Sequence, residues 1–448
     1  MLSGNKALMV MDFACKTQLL IGAASSGSGK TTLTLGLLRA LRNRGISVQP
    51  YKCGPDYIDT QYHSLASGRD SVNLDLFMGS GSHLKDVYTK YGSGADACII
   101  EGVMGLFDGY SKMEGSSARV AENLGVPVLL VINAKSVADS VAPLIYGFKN
   151  FYKGVKIGGI IFNMVGSERH YNILKDACSD LDIPVLGYIP KDSSIEIPSR
   201  HLGLTLEENY LFEDFVQKIS EIVEKHIDVD KLLDTFSLRF MNNTHHSATV
   251  ADNNIIAIAR DEAFNFIYKE NLDRLSSLGK IEYFSPLYDE ELPECNLLYL
   301  PGGYPELHLK KLSGNKKMLK AVKNYIENGG KTIAECGGMM YLCNSIVGED
   351  SMEYEVCGVL GQTATMVGKR LHIGYRQFEY NGIKVKGHEF HYSRISDSLQ
   401  GAEREPAGVV QMYDANGNTV STALYRYKNL IAGYTHLYWG EFNPLELF

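Results

Sequence analysis

No two of the eight cysteines form a Cys-x-x-Cys pair. They stand at Cys15, Cys53, Cys98, Cys178, Cys295, Cys336, Cys343 and Cys357, which argues against a zinc ribbon. A chain of 448 residues needs no disulfide framework, so a reducing cytoplasm is the expected setting. No apolar run approaches the roughly 20 residues of a membrane span. The short apolar patch Ala7–Val10 is followed by Asp12 and lacks the long core and cleavage site of a signal peptide. Positive charge is not in excess either. A formal net charge of −8 argues against a general nucleic-acid binder and leaves room for a local anion site. Short repeats and low-complexity tracts are absent.

What the chain does contain is enough apolar material for sizeable cores, 45% hydrophobic against 21% charged residues. Its length suits two or three domains at roughly 100–200 residues each. Leu19–Ala23, Cys98–Ile100, Val128–Ile132 and Lys156–Phe162 are short, rich in Ile, Val and Leu, and bounded by Gly or polar residues, so they read as buried strands. Segments such as Thr31–Arg42 between them carry helical apolar spacing. This alternation predicts an α/β fold, a doubly wound parallel sheet with helices on both faces. Residues 241–254, MNNTHHSATVADNN, read as a polar linker, with His245 and His246 solvated rather than metal-bound. The β-α alternation then restarts at Ile255–Ala259, Leu297–Leu300 and Thr332–Ala334, and Tyr375–Lys386 alternates like a hairpin. The expected organisation is an extension over 1–16, a first α/β domain over 17–240, a linker over 241–254 and a second α/β domain over 255–448.

Ala24-Ser25-Ser26-Gly27-Ser28-Gly29-Lys30-Thr31 follows a strand and opens a helix, the setting a phosphate-binding loop requires. Small residues let backbone N–H groups close around phosphates, and the helix N-terminus adds its positive end. Gly27, Ser28, Gly29, Lys30, Thr31 and Thr32 are therefore the expected ATP contacts, with Lys30 on the β- and γ-phosphates and Thr31 on Mg²⁺. Such loops also need carboxylates at neighbouring strand ends. Asp56 and Tyr57 lie in a Gly-Pro turn after a strand, and Glu101 and Asp108 lie in EGVMGLFDG after another. Thr31, Asp56 and Glu101 are the expected metal residues; Asp56, Glu101 and Asp108 are expected to converge on one site.

Thr332-Ile333-Ala334-Glu335-Cys336-Gly337-Gly338 is the second signal: a buried strand runs into a cysteine, two glycines and a helix. That is the logic of a nucleophile elbow, where backbone N–H groups hold an oxyanion and the helix N-terminus lowers the thiol pKa. His436, in Gly433-Tyr434-Thr435-His436, is the expected base for Cys336. His388 and His391, in GHEFHY, are rivals. Gly302 and Gly303, after another strand, and Gly337 are the expected oxyanion and glutamine contacts.

In order along the chain, SSGSGKTT, KCGPDYID, EGVMGLFDG, PSRHLGL, LPGGYPEL, AECGGMMYL, GHEFHYS and GYTHLYWG resemble the cobyrinate a,c-diamide synthases. In these a dethiobiotin-synthetase-like P-loop domain joins a class I (triad) glutamine amidotransferase domain of flavodoxin-like fold. The resemblance implies ATP- and glutamine-dependent amidation of the a and c acetates of a cobyrinate-type tetrapyrrole through acyl phosphates, in cobalamin biosynthesis. It implies Mg²⁺ and leaves a homodimer open. It places Cys336 and His436 as the glutaminase pair, and Asp56, Tyr57, Glu101, Asp108, Arg200 and His201 at substrate and acyl-phosphate handling. Tyr438 stands where many triad enzymes carry Glu two residues after the histidine. Glu441 and Glu389 are candidates for that role, or the pair works without a carboxylate. A nickel-sirohydrochlorin a,c-diamide synthase would show almost the same motifs. A nucleotide switch with an inactive amidotransferase tail is the alternative of a different class.

Overall fold

The computed structural model describes residues 13–195, 206–241, 254–396 and 408–448. Its contacts group into two compact units, one holding almost all the described chain up to Met241 and the other the chain from Asn254. Both are α/β.

The first unit is built on β1 (Phe13–Ala23), β2 (Val48–Cys53), β3 (Val72–Leu74), β4 (Ala97–Glu101), β5 (Val128–Asn133), β6 (Ile157–Val165), β7 (Val185–Pro190) and β8 (Ser237–Met241). The order is β3-β2-β4-β1-β5-β6-β7, parallel throughout. Its strands read as continuous apolar runs because both faces are covered. Leu19 and Ile21 enter one core with Leu33, Leu37 and Leu41 of the helix Lys30–Asn43, while Leu20 enters the core on the other face with Ile100, Leu130 and Phe162. In such a sheet the carboxyl ends of the strands carry the ligand site. Thr31, Asp56 and Glu101 follow or end β1, β2 and β4, which are neighbours through β4.

The first strand starts six residues before Leu19, so residues 13–16 of the expected extension stand in the sheet. The reason is tertiary. β8 lies antiparallel beside Phe13–Thr17, in a stretch where sequence periodicity lapses, and Lys16 Nζ donates to the carbonyls of Gly92 at 2.8 Å and Ser93 at 2.7 Å. His245, His246 and most of the expected linker lie outside the described residues.

The second unit carries β9 (Ile255–Ala259), β10 (Lys280–Phe284), β11 (Leu297–Leu300), β12 (Lys331–Glu335), β13 (Leu424–Tyr427) and β14 (Leu430–Gly433), in the order β10-β9-β11-β12-β14-β13. Only β13 runs antiparallel in this sheet. The hairpin expected at Tyr375–Lys386 has longer arms, His372–Tyr380 and Ile383–His391. Asn381 and Gly382 turn it with φ of 51° and 76°, the pair that a two-residue turn demands. A short strand, His436–Leu437, adds to the second arm and sets His388 opposite His436. No helix among the described residues is long and apolar enough to cross a membrane.

Candidate functional sites in the two units

The loop after β1 enters its helix through Gly29, whose φ is 95°. A Cβ there would lie 1.9 Å from Asn163 Nδ2, and that amide donates to the Ser28 carbonyl at 2.9 Å. Only glycine lets the loop and β6 approach so closely. Lys30 Nζ donates to the carbonyls of Ser25 at 3.2 Å and Met104 at 2.6 Å. Met104 holds that carbonyl from a left-handed conformation, φ 51°. Gly27, Gly29, Lys30, Thr31, Thr32, Asp56 and Glu101 share a cavity of about 510 Å³.

Glu101 is wholly buried at the base of this cavity. Its Oε1 accepts from the Thr31 hydroxyl at 2.7 Å and from Lys52 Nζ at 2.8 Å, and His63 Nε2 lies 2.6 Å from Oε2. Lys52 also donates to Asp59 at 2.6 Å. Burial opposes ionisation of Glu101, but Lys52 and His63 outweigh it and hold the carboxyl well below its usual range. Burial likewise pulls on Lys52, and Glu101 with Asp59 outweighs it, so the ammonium stays charged. Sequence reasoning gave no role to Lys52, Asp59, His63 or Asn163, although Lys52 and Asp59 bound the KCGPDYID segment.

Among the described residues no three His, Cys, Asp or Glu side chains form a metal cage. Thr31, Asp56 and Glu101 line the cavity, and oxygen donors of this kind suit Mg²⁺, which keeps waters and phosphate oxygens in its shell. Glu101 already engages Thr31, Lys52 and His63 with its two oxygens. Asp56 Oδ1 accepts from the N–H groups of Ile58 at 2.8 Å and Asp59 at 2.9 Å.

Three expected members do not line the cavity. Ser28 is buried, its hydroxyl donating to the Ser25 carbonyl at 2.9 Å. Asp108 turns back to accept from Gly105 N–H at 2.9 Å, and Tyr57 is buried at the start of the helix Ile58–Ser67. Arg200 and His201 lie outside the described residues.

In the second unit Cys336 directly follows β12 at φ 46° and ψ −105°, a strained turn, and the helix Gly337–Leu342 begins at the next residue. Its N–H donates to the Gly433 carbonyl at 2.7 Å, and Glu335 pairs with Gly433 in the register of β12 and β14. Cys336 and His436 thus stand one and three residues beyond the paired ends of adjacent parallel strands. The Gly302 backbone flanks the imidazole so closely that a Cβ would lie 2.1 Å from His436 Cε1. A Cβ on Gly337 would lie 3.1 Å from Gly303 N, so these glycine backbones also meet.

Burial decides the electrostatics here. It pushes the Cys336 thiol up, with Glu306 adding to it, and the lowering by Gly337 N–H is smaller. The N–H at the helix start does lower the thiol, as expected, but burial outweighs it. Burial brings His436 down to about 3, so the ring is neutral and only weakly basic while the site is free.

His388 stacks on His436 with ring centres 5.1 Å apart and keeps Nδ1 at 2.7 Å from Tyr268 Oη. His391 stacks on Tyr434 at 3.7 Å. Glu389 is held by Arg376 at 2.8 Å and by Thr422 and Thr435, and Glu441 is exposed. The carboxylate beside His436 is another one, Glu335, with Oε2 4.0 Å from His436 Nδ1. Its signal in the sequence was only its place before Cys336.

The family model of the CobQ/CobB/MinD/ParA nucleotide binding domain matches residues 19–204. That of the CobB/CobQ-like glutamine amidotransferase domain matches residues 255–444. A protein of Caldanaerobacter subterraneus named cobyrinate a,c-diamide synthase is 44% identical, across 86% of this chain and 88% of its own. One of Listeria innocua with the same name is 37% identical across 96% and 98%. One of Brucella suis, named hydrogenobyrinate a,c-diamide synthase, is 39% identical across 93% and 97%.

Proposed function

The chain belongs to the cobyrinate a,c-diamide synthase family, and from that premise we propose that it converts the a and c acetates of a cobyrinate-type tetrapyrrole into amides, using ATP and glutamine. One observation carries the reading: a single chain holds both a phosphate loop tied to a buried carboxylate and a strained cysteine just past a strand whose parallel neighbour leads, three residues on, to a neutral histidine.

A free carboxylate resists ammonia because its own charge shields the carbonyl carbon. Transfer of the γ-phosphoryl group from ATP to a carboxylate oxygen gives an acyl phosphate and ADP. Ammonia then attacks the carbonyl carbon, the amide forms and phosphate leaves. The P-loop N–H groups and Lys30 would hold the phosphates, Lys30 leaving the Ser25 and Met104 carbonyls for them. Mg²⁺, held through Thr31 and Asp56, would supply charge neutralisation on those phosphates.

At the other site His436 would take the Cys336 proton as the sulfur attacks the glutamine amide, and would return it to the departing ammonia. Water then frees glutamate from the thioester. Gly303 and Gly337 N–H groups are the proposed holders of the oxyanion.

The Brucella relative's name favours a second reading in which the ring carries no cobalt. One experiment tests both. Cobyrinate, hydrogenobyrinate or nickel-sirohydrochlorin is incubated with enzyme, ATP, Mg²⁺ and glutamine, and products are weighed by mass spectrometry. Two amides gained on cobyrinate are expected; a gain only on the metal-free ring moves the substrate, and no gain on any ring refutes the reading.

A further inference from the structure

Cys336 and His436 are mismatched as a proton donor and acceptor. Burial favours the neutral thiol and the neutral imidazole together. Proton transfer between them creates a thiolate and an imidazolium in a water-poor site, so the site must contain something that stabilises the imidazolium. In many triad amidotransferases a carboxylate two residues beyond the histidine does so. Tyr438 occupies that position here, its ring lying edge-on to Tyr268 at 5.7 Å.

We infer that Glu335, the residue before the nucleophile, is the positioning carboxylate for His436. Three observations support this. Glu335 Oε2 stands 4.0 Å from His436 Nδ1, a separation that tightens readily when a substrate closes a site. Its two oxygens are fixed from two sides. Tyr299 Oη donates to Oε2 at 2.8 Å from β11, and the N–H of Leu437, the residue after His436, donates to Oε1 at 3.1 Å. The carboxylate thus grips the strand that carries the imidazole it faces. Finally, Glu335 is buried with no lysine or arginine in ion-pair range among the described residues. Such a carboxyl is poorly stabilised as an anion until a positive charge forms beside it, and the reaction forms one at His436.

The proton balance is simple. With Glu335 ionised, His436 carries its hydrogen on Nδ1, directed at Oε2, and leaves Nε2 bare. Nε2 accepts the Cys336 proton, and the imidazolium sits against the carboxylate. Ammonia departs with the proton from Nε2, restoring both groups. With Glu335 protonated, Nδ1 faces no anion, and both the productive tautomer and the imidazolium lose their charged support. The ionisable groups facing this pair are Tyr299 from β11, His388 stacked behind the imidazole, Tyr268, hydrogen-bonded to His388, and Cys336 itself. From the hairpin arm Ile383–His391, Glu389 favours the imidazolium and His391 opposes it, both less than burial does.

The inference rests on the proposed glutaminase activity, and the test separates the two. Glutamate release is measured for the wild type, Cys336→Ser, Glu335→Gln and Tyr299→Phe. If the wild type releases no more glutamate than Cys336→Ser, the glutaminase reading falls and this inference with it. If the wild type is active, Glu335→Gln should lose roughly 100-fold in kcat with KM for glutamine within twofold, because glutamine keeps the shape and can accept from Leu437 but carries no charge. Retention of kcat within twofold overturns the inference.

Tyr299→Phe provides a check that does not depend on how well the glutamine variant folds. It removes a bond that favours ionised Glu335, so the rise of kcat/KM with pH should move to higher pH while its plateau is kept. An unmoved profile also overturns the inference.

Discussion

Thr31 Oγ1 lies 2.7 Å from Glu101 Oε1, and this bond fastens the first turn of the phosphate-loop helix to the carboxyl end of the neighbouring strand. Thr31 belongs to a motif legible at a glance; Glu101 is the last residue of an apolar strand. The pairing in space of β1 with β4 makes them one site.

Glu101→Gln removes the charge against which Lys52, His63 and Thr31 are set. ATP-dependent amide synthesis should fall by roughly 100- to 1,000-fold, the cost of losing a preorganised electrostatic partner. The substitution also leaves Lys52 with Asp59 as its remaining buried counter-charge, which costs about 3 kcal/mol of stability. Ammonia-driven turnover and urea denaturation check the two effects.

Gly29→Ala combines a left-handed backbone with a Cβ 1.9 Å from Asn163 Nδ2. The loop must shift, and the apparent KM for ATP should rise at least about tenfold, from a backbone cost of roughly 1–2 kcal/mol before the clash is counted. Glutamate release should be unaffected. ATP titration of ammonia-driven synthesis provides the comparison.

Cys336→Ala should abolish glutamine-driven synthesis and leave ammonia-driven synthesis, since the alternative nitrogen source needs no thiol. Gly302→Ala should give a milder form of the same pattern. Its Cβ would push on the His436 ring, and a displacement near 1 Å costs roughly 100-fold in glutaminase kcat. Loss of both reactions in Cys336→Ala would contradict the division of labour.

The stability of the second unit should depend on pH through Glu335. Burial raises this carboxyl from an ordinary 4.5 to about 8. The folded state therefore holds a proton that the unfolded chain has released between those values. The stabilisation is complete below pH 4.5 and is lost as pH rises through about 8. The wild type should lose more stability than Glu335→Gln between pH 5 and pH 8. Urea midpoints at the two pH values give the answer, and equal losses would refute it.

Much of the fold is legible in residue order. Ile255–Ala259 and Leu297–Leu300 coincide with strands of the second sheet, because buried parallel strands are short apolar runs with turn residues at their ends. Phe13–Lys16 and Ser237–Met241 were not legible, because each is a strand only by virtue of the other. Asp108 shows the opposite failure. Its place after a strand suggested a ligand-facing carboxylate, yet the Gly105 N–H three residues before it captures the side chain.

By itself the sequence determined the two chemistries, because each rests on a contiguous motif whose backbone is set locally: the glycine-rich turn before Lys30 and the strand–cysteine–glycine turn at Cys336. Only the tertiary structure decided which distant side chains complete them. Lys52 and His63 reach Glu101, and Glu335 rather than Glu389 or Glu441 stands beside His436. The reason is that a carboxylate's partner is chosen by strand order and burial, and neither is visible in the spacing of residues along the chain.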